Sequence, residues 1–298
     1  MPWYKNPYFL LTLTALFWSG NFVLSRAIHA QIPPLALSFW RWLIALLLLL
    51  PFILGSLKQQ WPLLRSQWLR TVLLAITGIS GFNSLVYLGT QYTSATNALL
   101  INAFIPVLTI LLSGLFFQLQ LARRQLAGVM ISVAGVMMIL SRGEWQTLIS
   151  LSFNRGDLFI FIAAICWAWY TVLIKDLDQR INRISFLAVI IFIGLLGIAP
   201  FYLWEWLQSP PIVLSSEVLI SFIYVGLFPS ILAVWFYNYG VAKVGPERAS
   251  LFIHLMPVFG TLMSVAFLGE QFFVYHIAGI SAIFTGIYLS TRKPAAKQ

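Results

Sequence analysis

The sequence predicts an all-α integral membrane protein in which ten transmembrane helices form two inverted repeats of five. Three observations carry this expectation. Hydrophobic residues fill 60% of the 298 positions and charged ones 9%, whereas an ordinary soluble domain runs at roughly 45–50% and 25%. Apolar runs of about 20 residues, enough to cross about 30 Å of hydrocarbon, succeed one another with short polar breaks. Finally, the chain repeats itself. A shift of 151 positions lays Gly89, Ala98, Pro106, Ser113, Gly128 and Gly135 on Gly240, Ala249, Pro257, Ser264, Gly279 and Gly286 without a gap. Near the start, a shift of 149 matches ALFWSGNFVLSR (15–26) to AICWAWYTVLIK (164–175), placing Trp18 on Trp167 and Arg26 on Lys175. A β-barrel is excluded because the runs are too long and lack strict alternation.

The expected spans are 8–28, 35–54, 69–90, 96–117, 125–141, 157–176, 185–207, 217–239, 249–268 and 275–291. The first resembles a secretion signal in position, but it is long, has no convincing small-residue cleavage site and recurs later in the chain, so it is read as retained. The second carries Arg41 just inside its start, and the third carries Asn83 and Tyr87. The fourth holds Asn102 and Pro106, and the fifth Gly128 and Gly135. A polar connector, 142–156, with Trp145 suited to the interface, separates a first repeat over 1–141 from a second over 157–298 with its short tail. The sixth span holds Cys166, Trp167 and Tyr170, the eighth Trp235 and Asn238, the ninth His254 and Pro257, and the tenth Gly279 and Gly286. Because five is odd, the second repeat enters the bilayer from the opposite side. Inverted repeats of this kind are the usual basis of alternating access around a midplane site. So little chain lies between spans that any function must reside among the helices.

The net charge of +10 does not imply a nucleic-acid partner, because its distribution is that of a topology signal. With a cytoplasmic N-terminus, the inner side carries Lys5, Lys58, Arg65, Arg70, Arg123, Arg124, Lys175, Arg180, Arg183, Lys243, Arg248, Arg292, Lys293 and Lys297, against Arg26, Arg142 and Arg155 outside. Both termini are therefore expected in the cytoplasm and the chain in the cell (inner) membrane. Cys166 is the one cysteine; it forms no disulfide within the chain and reads as a small buried hydrophobe. Trp3, Tyr4, Trp61, Trp68 and Trp206 read as interfacial anchors.

The helices are interrupted where the repeat says they should be. Pro106 and Pro257 each remove a donor and free the carbonyl four residues earlier, those of Asn102 and Ile253, the latter beside His254. Irregular backbone at membrane depth is tolerated where protein or a water-filled cavity satisfies it. The expectation is that the fourth and ninth spans line a central cavity, a packing bend being the alternative. Trp18, Asn21, Asn83, Tyr87, Asn102, Trp167, Tyr170, Trp235, Asn238 and His254 are its candidate walls, with Asn21 matching Tyr170 and Tyr87 matching Asn238 under the repeat. Aromatic faces and neutral amides suit an uncharged or zwitterionic molecule with an apolar part, and an amino acid or a hydrophobic drug would both fit.

All acidic residues fall in loops or at span ends, so no carboxylate sits deep enough for an obvious proton relay. His254 remains open between a neutral cavity wall, a packing residue and a proton carrier. Arg41 is expected near the outer edge, either snorkelling or bonded to a carbonyl, or else recognising a substrate carboxylate. There are no paired intramembrane acids, no HExxH and no His/Cys cluster. An enzyme, a metal site and a cofactor are accordingly not expected. Both halves lie in one chain, so a monomer suffices for a complete pathway.

Each half also resembles the EamA unit of the drug/metabolite transporter superfamily. That pattern is carried by YTSATNALLINAFIPV at 92–107 and, more fully, by PVFGTLMSVAFLGEQFFVYHIAGISAIFTGIYL at 257–289. The opening LFWSGNFVLSR at 16–26 and the arginine of FWRWLIALLLLL at 39–50 belong to the same resemblance, which covers nearly the whole chain. One departure is that Phe117-Gln118-Leu119 stands where the second half has Leu268-Gly269-Glu270, which makes that corner structural rather than part of a duplicated site. The resemblance implies a secondary transporter of small metabolites, amino-acid export first, with a multidrug or other metabolite transporter, or a receptor that kept the fold, as alternatives.

Overall fold

A computed structural model describes residues 5–28, 32–118, 122–149, 153–210, 212–268 and 271–291. Trp3, Tyr4, Leu119, the Gly269-Glu270 corner, Arg292, Lys293 and Lys297 lie outside these, as do the side chains of Arg26 and Trp145. We label the long helices α1 (Pro7–Ile28), α2 (Pro34–Ser66), α3 (Trp68–Thr90), α4 (Asn97–Phe117), α5 (Arg123–Leu140), α6 (Arg155–Ile174), α7 (Arg183–Trp206), α8 (Ser216–Val244), α9 (Pro246–Phe267) and α10 (Val274–Thr291). Among the described residues nine of these, α2 to α10, are long and apolar enough to cross a membrane. The sequence count of ten adds α1, whose 22 residues span about 33 Å at 1.5 Å per residue.

Helix starts follow local chemistry. Ser94, Asn154, Asn182 and Ser215 each accept a backbone N–H of the first turn that follows them, which satisfies donors that have no intrahelical partner. At α6 the cap is reciprocal: Asn154 Oδ1 accepts from Gly156 N at 2.7 Å while Asp157 Oδ2 accepts from Asn154 N at 2.9 Å. The expected second span, 35–54, proved only part of its helix. α2 continues for 33 residues to Ser66, because Lys58, Gln59 and Gln60 form helix well enough to carry it past the hydrocarbon.

The two halves are interlocked rather than side by side. α1 packs on α8 and α9, and its repeat mate α6 packs correspondingly on α3 and α4. α2 crosses α7 and meets α8, while α7 meets α3. Equivalent contacts recur as equivalent atoms. A Cβ added at Gly240 would lie 2.5 Å from Leu11 Cδ2, and one at Gly89 would lie 2.6 Å from Ile160 Cδ1, and Leu11 maps on Ile160 with the shift of 149.

α5 and α10 show the inversion directly. Gly128 abuts the Gly286 carbonyl and Gly135 the Gly279 carbonyl, yet under the repeat Gly128 matches Gly279 and Gly135 matches Gly286. Crossed pairing of this kind requires the two equivalent helices to run antiparallel about a pseudo-twofold axis. Small residues let such backbones approach closely in lipid, where no hydrophobic effect drives helices together.

Polar contacts gather at the two ends of the bundle. At one end Arg70 Nη1 donates to the Asp176 carbonyl, Asn182 N donates to Gln60 Oε1 at 2.9 Å, and Tyr239 OH donates to the Lys5 carbonyl at 3.3 Å. There, too, Arg180 pairs with Asp178 at 2.6 Å and holds that carboxyl well below its ordinary range, at about 2. At the other end Arg155 lies 3.8 Å over the Tyr92 ring, and Glu205 accepts from the Leu35 and Ala36 amides at 3.1 and 2.7 Å.

Candidate functional site

Two helices carry an irregularity that the sequence reading did not anticipate. α3 contains a π-helical turn at Ile76–Gly81 and α8 another at Gly226–Leu232. The shift of 151 lays one on the other, so the wide turns are a paired feature of the repeat. A π turn holds one residue more than its α equivalent and leaves carbonyls without their usual partners, and it frequently marks a functional position. The signal was present as Gly78 and Gly81 in one span and Gly226 and Pro229 in the other.

Side chains take up the freed carbonyls. Asn83 Nδ2 donates to the Ile79 carbonyl at 2.8 Å and the Gly78 carbonyl at 3.3 Å. Ser230 Oγ donates to the Val225 carbonyl at 2.7 Å, which Pro229, four residues on, cannot bond. Both side chains then offer their oxygens to the same guanidinium. Arg41 Nε donates to Ser230 Oγ at 2.9 Å, and Nη1 to Asn83 Oδ1 and Tyr87 OH, both at 3.4 Å. Arg41 is 5% exposed. It does not snorkel to the edge, because the paired π turns supply polar oxygens inside the bundle.

Beside this polar core lies an aromatic one on the repeat axis. The Trp18 and Trp167 rings, equivalent to one another, meet edge to face at 5.2 Å. Tyr237 lies 5.3 Å from Trp18 and 5.6 Å from Trp167, Tyr170 stacks on Trp167 at 5.0 Å, and Phe82 lies 4.8 Å from Trp167. Offset and edge geometries of this kind add modest stabilisation beyond burial. Trp18 Nε1 donates to the Pro229 carbonyl at 3.1 Å, Tyr170 OH to Asn238 Oδ1 at 2.9 Å, and Tyr237 OH sits 2.9 Å from Thr171 Oγ1. A narrow crevice runs alongside, lined by Leu11, Thr14, Ala15, Trp18, Tyr237, Phe252 and Ile253, with no room for a water molecule. The open, wet centre expected from the sequence is closed here by packed rings.

The kinks took a different form from the expectation. α4 breaks as a turn at Ala103–Phe104 and α9 tightens to a 3₁₀ turn at Phe252–His254. Pro106 therefore sits in the first turn of a fresh helical segment, where its missing N–H is not needed. His254 closes the break across the halves. Its Nε2 lies 2.8 Å from the carbonyl of Ala103, its own repeat mate, and its Nδ1 lies 2.7 Å from Ser132 Oγ. A carbonyl can only accept, so Nε2 carries a proton, and when the ring is neutral Nδ1 accepts from the serine hydroxyl. The carbonyl served is Ala103's rather than Asn102's. Asn102 is itself buried, with its Oδ1 unpartnered.

Of the residues expected in one group, the structure unites Trp18, Trp167, Tyr170 and Asn238, and places Asn83 and Tyr87 on Arg41. Asn21 is buried on α1 with Oδ1 unpartnered. Trp235 does not join them. It is 39% exposed beside Phe236, because on α8 the inward face is Val234, Tyr237, Asn238 and Val241, at the 3- and 4-residue spacing of one helix side. Tyr237 and Phe82 were missed, although each is the chain neighbour of an asparagine that was chosen.

Comparison with known proteins agrees with this architecture. The EamA-like transporter family matches residues 5–141 and 154–292. An uncharacterised transporter of Bacillus subtilis, YyaM, is 29% identical over 95% of this chain and 92% of its own. A probable amino-acid metabolite efflux pump of Salmonella typhimurium is 25% identical over 95% and 93%. A solved crystal structure superposes with a TM-score of 0.76 at 20% identity, covering 95% of both chains, and so shares the fold. Two matches in tandem account for nearly the whole chain, and the protein belongs to the EamA-like transporter family.

Proposed function

We propose that this membrane transporter exports small amphipathic metabolites, amino acids foremost, by alternating access about the aromatic centre of Trp18, Trp167, Tyr170 and Tyr237. The observation that carries the reading is the meeting of equivalent residues from antiparallel repeats, Trp18 on Trp167 and His254 on Ala103, at one axis. A site on such an axis is reached from either side when the repeats exchange conformations. The interlocked packing supports this, since the first helix of each half lies against the third and fourth of the other, and the second against the third. A similar protein named as an amino-acid metabolite efflux pump supports the substrate class. The basic residues favour an inner-membrane orientation with both termini cytoplasmic, and the single chain holds a complete pathway.

The test is counterflow in liposomes containing the purified protein. Saturable exchange of labelled amino acid, competed by unlabelled amino acid, is the expected result. Binding without exchange would make the protein a receptor on a transporter fold and overturn the proposal.

A further inference from the structure

Arg41 is a cation nine-tenths and more buried, with one good hydrogen bond and two at 3.4 Å, a length at which little energy remains. None of its partners among the described residues is a carboxylate. Glu205, which meets the start of the same helix, spends both oxygens on the Leu35 and Ala36 amides. Burying a guanidinium without an anion is costly.

The repeat symmetry breaks at this point. Tyr170 bonds Asn238. Under the repeat these are Asn21 and Tyr87, yet Asn21 Oδ1 has no partner and Tyr87 OH instead accepts from Arg41. One pair is thus bonded to itself, and the hydroxyl of its mate faces a positive charge instead. The charge is also tied to the aromatic core through two pairs of adjacent residues. Phe82 meets Trp167 while Asn83 meets Arg41, and the Pro229 carbonyl takes Trp18 while Ser230 takes Arg41.

We propose that Arg41, with Tyr87 and Asn83, is the anion-binding centre of the transport site, and that the substrate class it selects is a small carboxylate with an aromatic or branched apolar body. The inference rests on the transport reading and narrows it. The carboxylate takes the two Nη donors in the planar fork geometry that guanidinium favours, displacing the long bonds to Asn83 and Tyr87. The apolar body lies against the Trp18–Trp167–Tyr237 rings. An α-amino group meets at most the neutral Asn21 Oδ1, so it is tolerated and not required.

A series of analogues of one size separates these requirements: 3-phenylpropionate, phenylalanine, phenethylamine and 3-phenylpropanol, read by thermal stabilisation of the purified protein and by competition in counterflow. Both acids are expected to stabilise and compete, and the amine and alcohol are not. Arg41→Gln is expected to weaken the acids roughly tenfold or more, and Tyr87→Phe, which removes one hydroxyl from a half-buried side chain, to weaken them by a few-fold with the fold intact. Equal action of phenethylamine or 3-phenylpropanol overturns the inference, as does full acid binding by both variants. Failure of all four probes also overturns it. Exchange of the amine without the acids would leave transport standing and this inference false, whereas acid binding without exchange would uphold the anion centre and reject transport.

Discussion

At the scale of single residues, the closest approaches are made by glycines, and their neighbours decide what each tolerates. A Cβ at Gly135 would lie 2.6 Å from the Gly279 carbonyl and 2.9 Å from Ile283 N, both backbone atoms that cannot swing aside. Gly135→Ala is expected to lower stability by ~1–3 kcal/mol, as overpacking does, read as a fall in the melting temperature in detergent. Gly114→Ala, with nothing within 4 Å of the new methyl group, should leave it unchanged or raise it. The Ser132–His254 bond at 2.7 Å makes a second residue-scale prediction. A double-mutant cycle with alanine at both positions should give a coupling of ~0.6–1.7 kcal/mol, the range for polar pairs between membrane helices, and additivity would remove the bond from the energetics.

The same scale shows what the sequence could disclose. Trp18 and Trp167 stood out because the repeat superimposed them, and they do touch. Trp235 was chosen for its type, and only the burial of Val234, Tyr237 and Val241 reveals that it points the other way. Helical phase inside an apolar span is hard to read when both the lipid-facing and the inward sides are hydrophobic. Arg41 was legible as costly, but its depth was not, since the oxygens that hold it come from α3 and α8, distant in sequence.

At the scale of elements, the π turns set the rotation of everything that follows them in α3 and α8. Removing one residue from such a turn returns the helix to α geometry and leaves the remainder close to its present phase, because the wide turn holds one residue more than the α turn that replaces it. Deletion of Thr77 in α3 should therefore close the wide turn with Asn83 and Tyr87 still facing Arg41, and the protein should still insert, purify and exchange. Lost exchange in protein that still inserts would show that the wide turn itself, and not only the phase of the helix beyond it, is needed by the site. The wide turns were the part of the fold least visible beforehand. Length and hydropathy found the helices, but a π turn differs from an α turn by one residue, and its glycines and proline are equally compatible with a simple kink.

For the whole molecule, the inverted repeat makes the two ends of the α2–α7 crossing equivalent and unequal. Glu205 against Ala36 at one end corresponds, by the shift of 149, to Ser56 against Ser185 at the other. The first contact is a carboxylate on two backbone amides, with the Ala36 bond at 2.7 Å, and the second is a single hydroxyl pair at 2.9 Å. Charge-assisted bonds are roughly twice as strong as neutral ones, so the serine end is the weaker latch and should be the first to part. Because Ser56 and Ser185 oxygens are 2.9 Å apart, cysteines there fall within disulfide reach. In a Cys166→Ala background, Ser56→Cys with Ser185→Cys should cross-link under oxidant, stop exchange in liposomes and recover it on reduction. Alternating access requires each end to open in turn, so undiminished exchange by the cross-linked protein would place the moving parts elsewhere than this crossing.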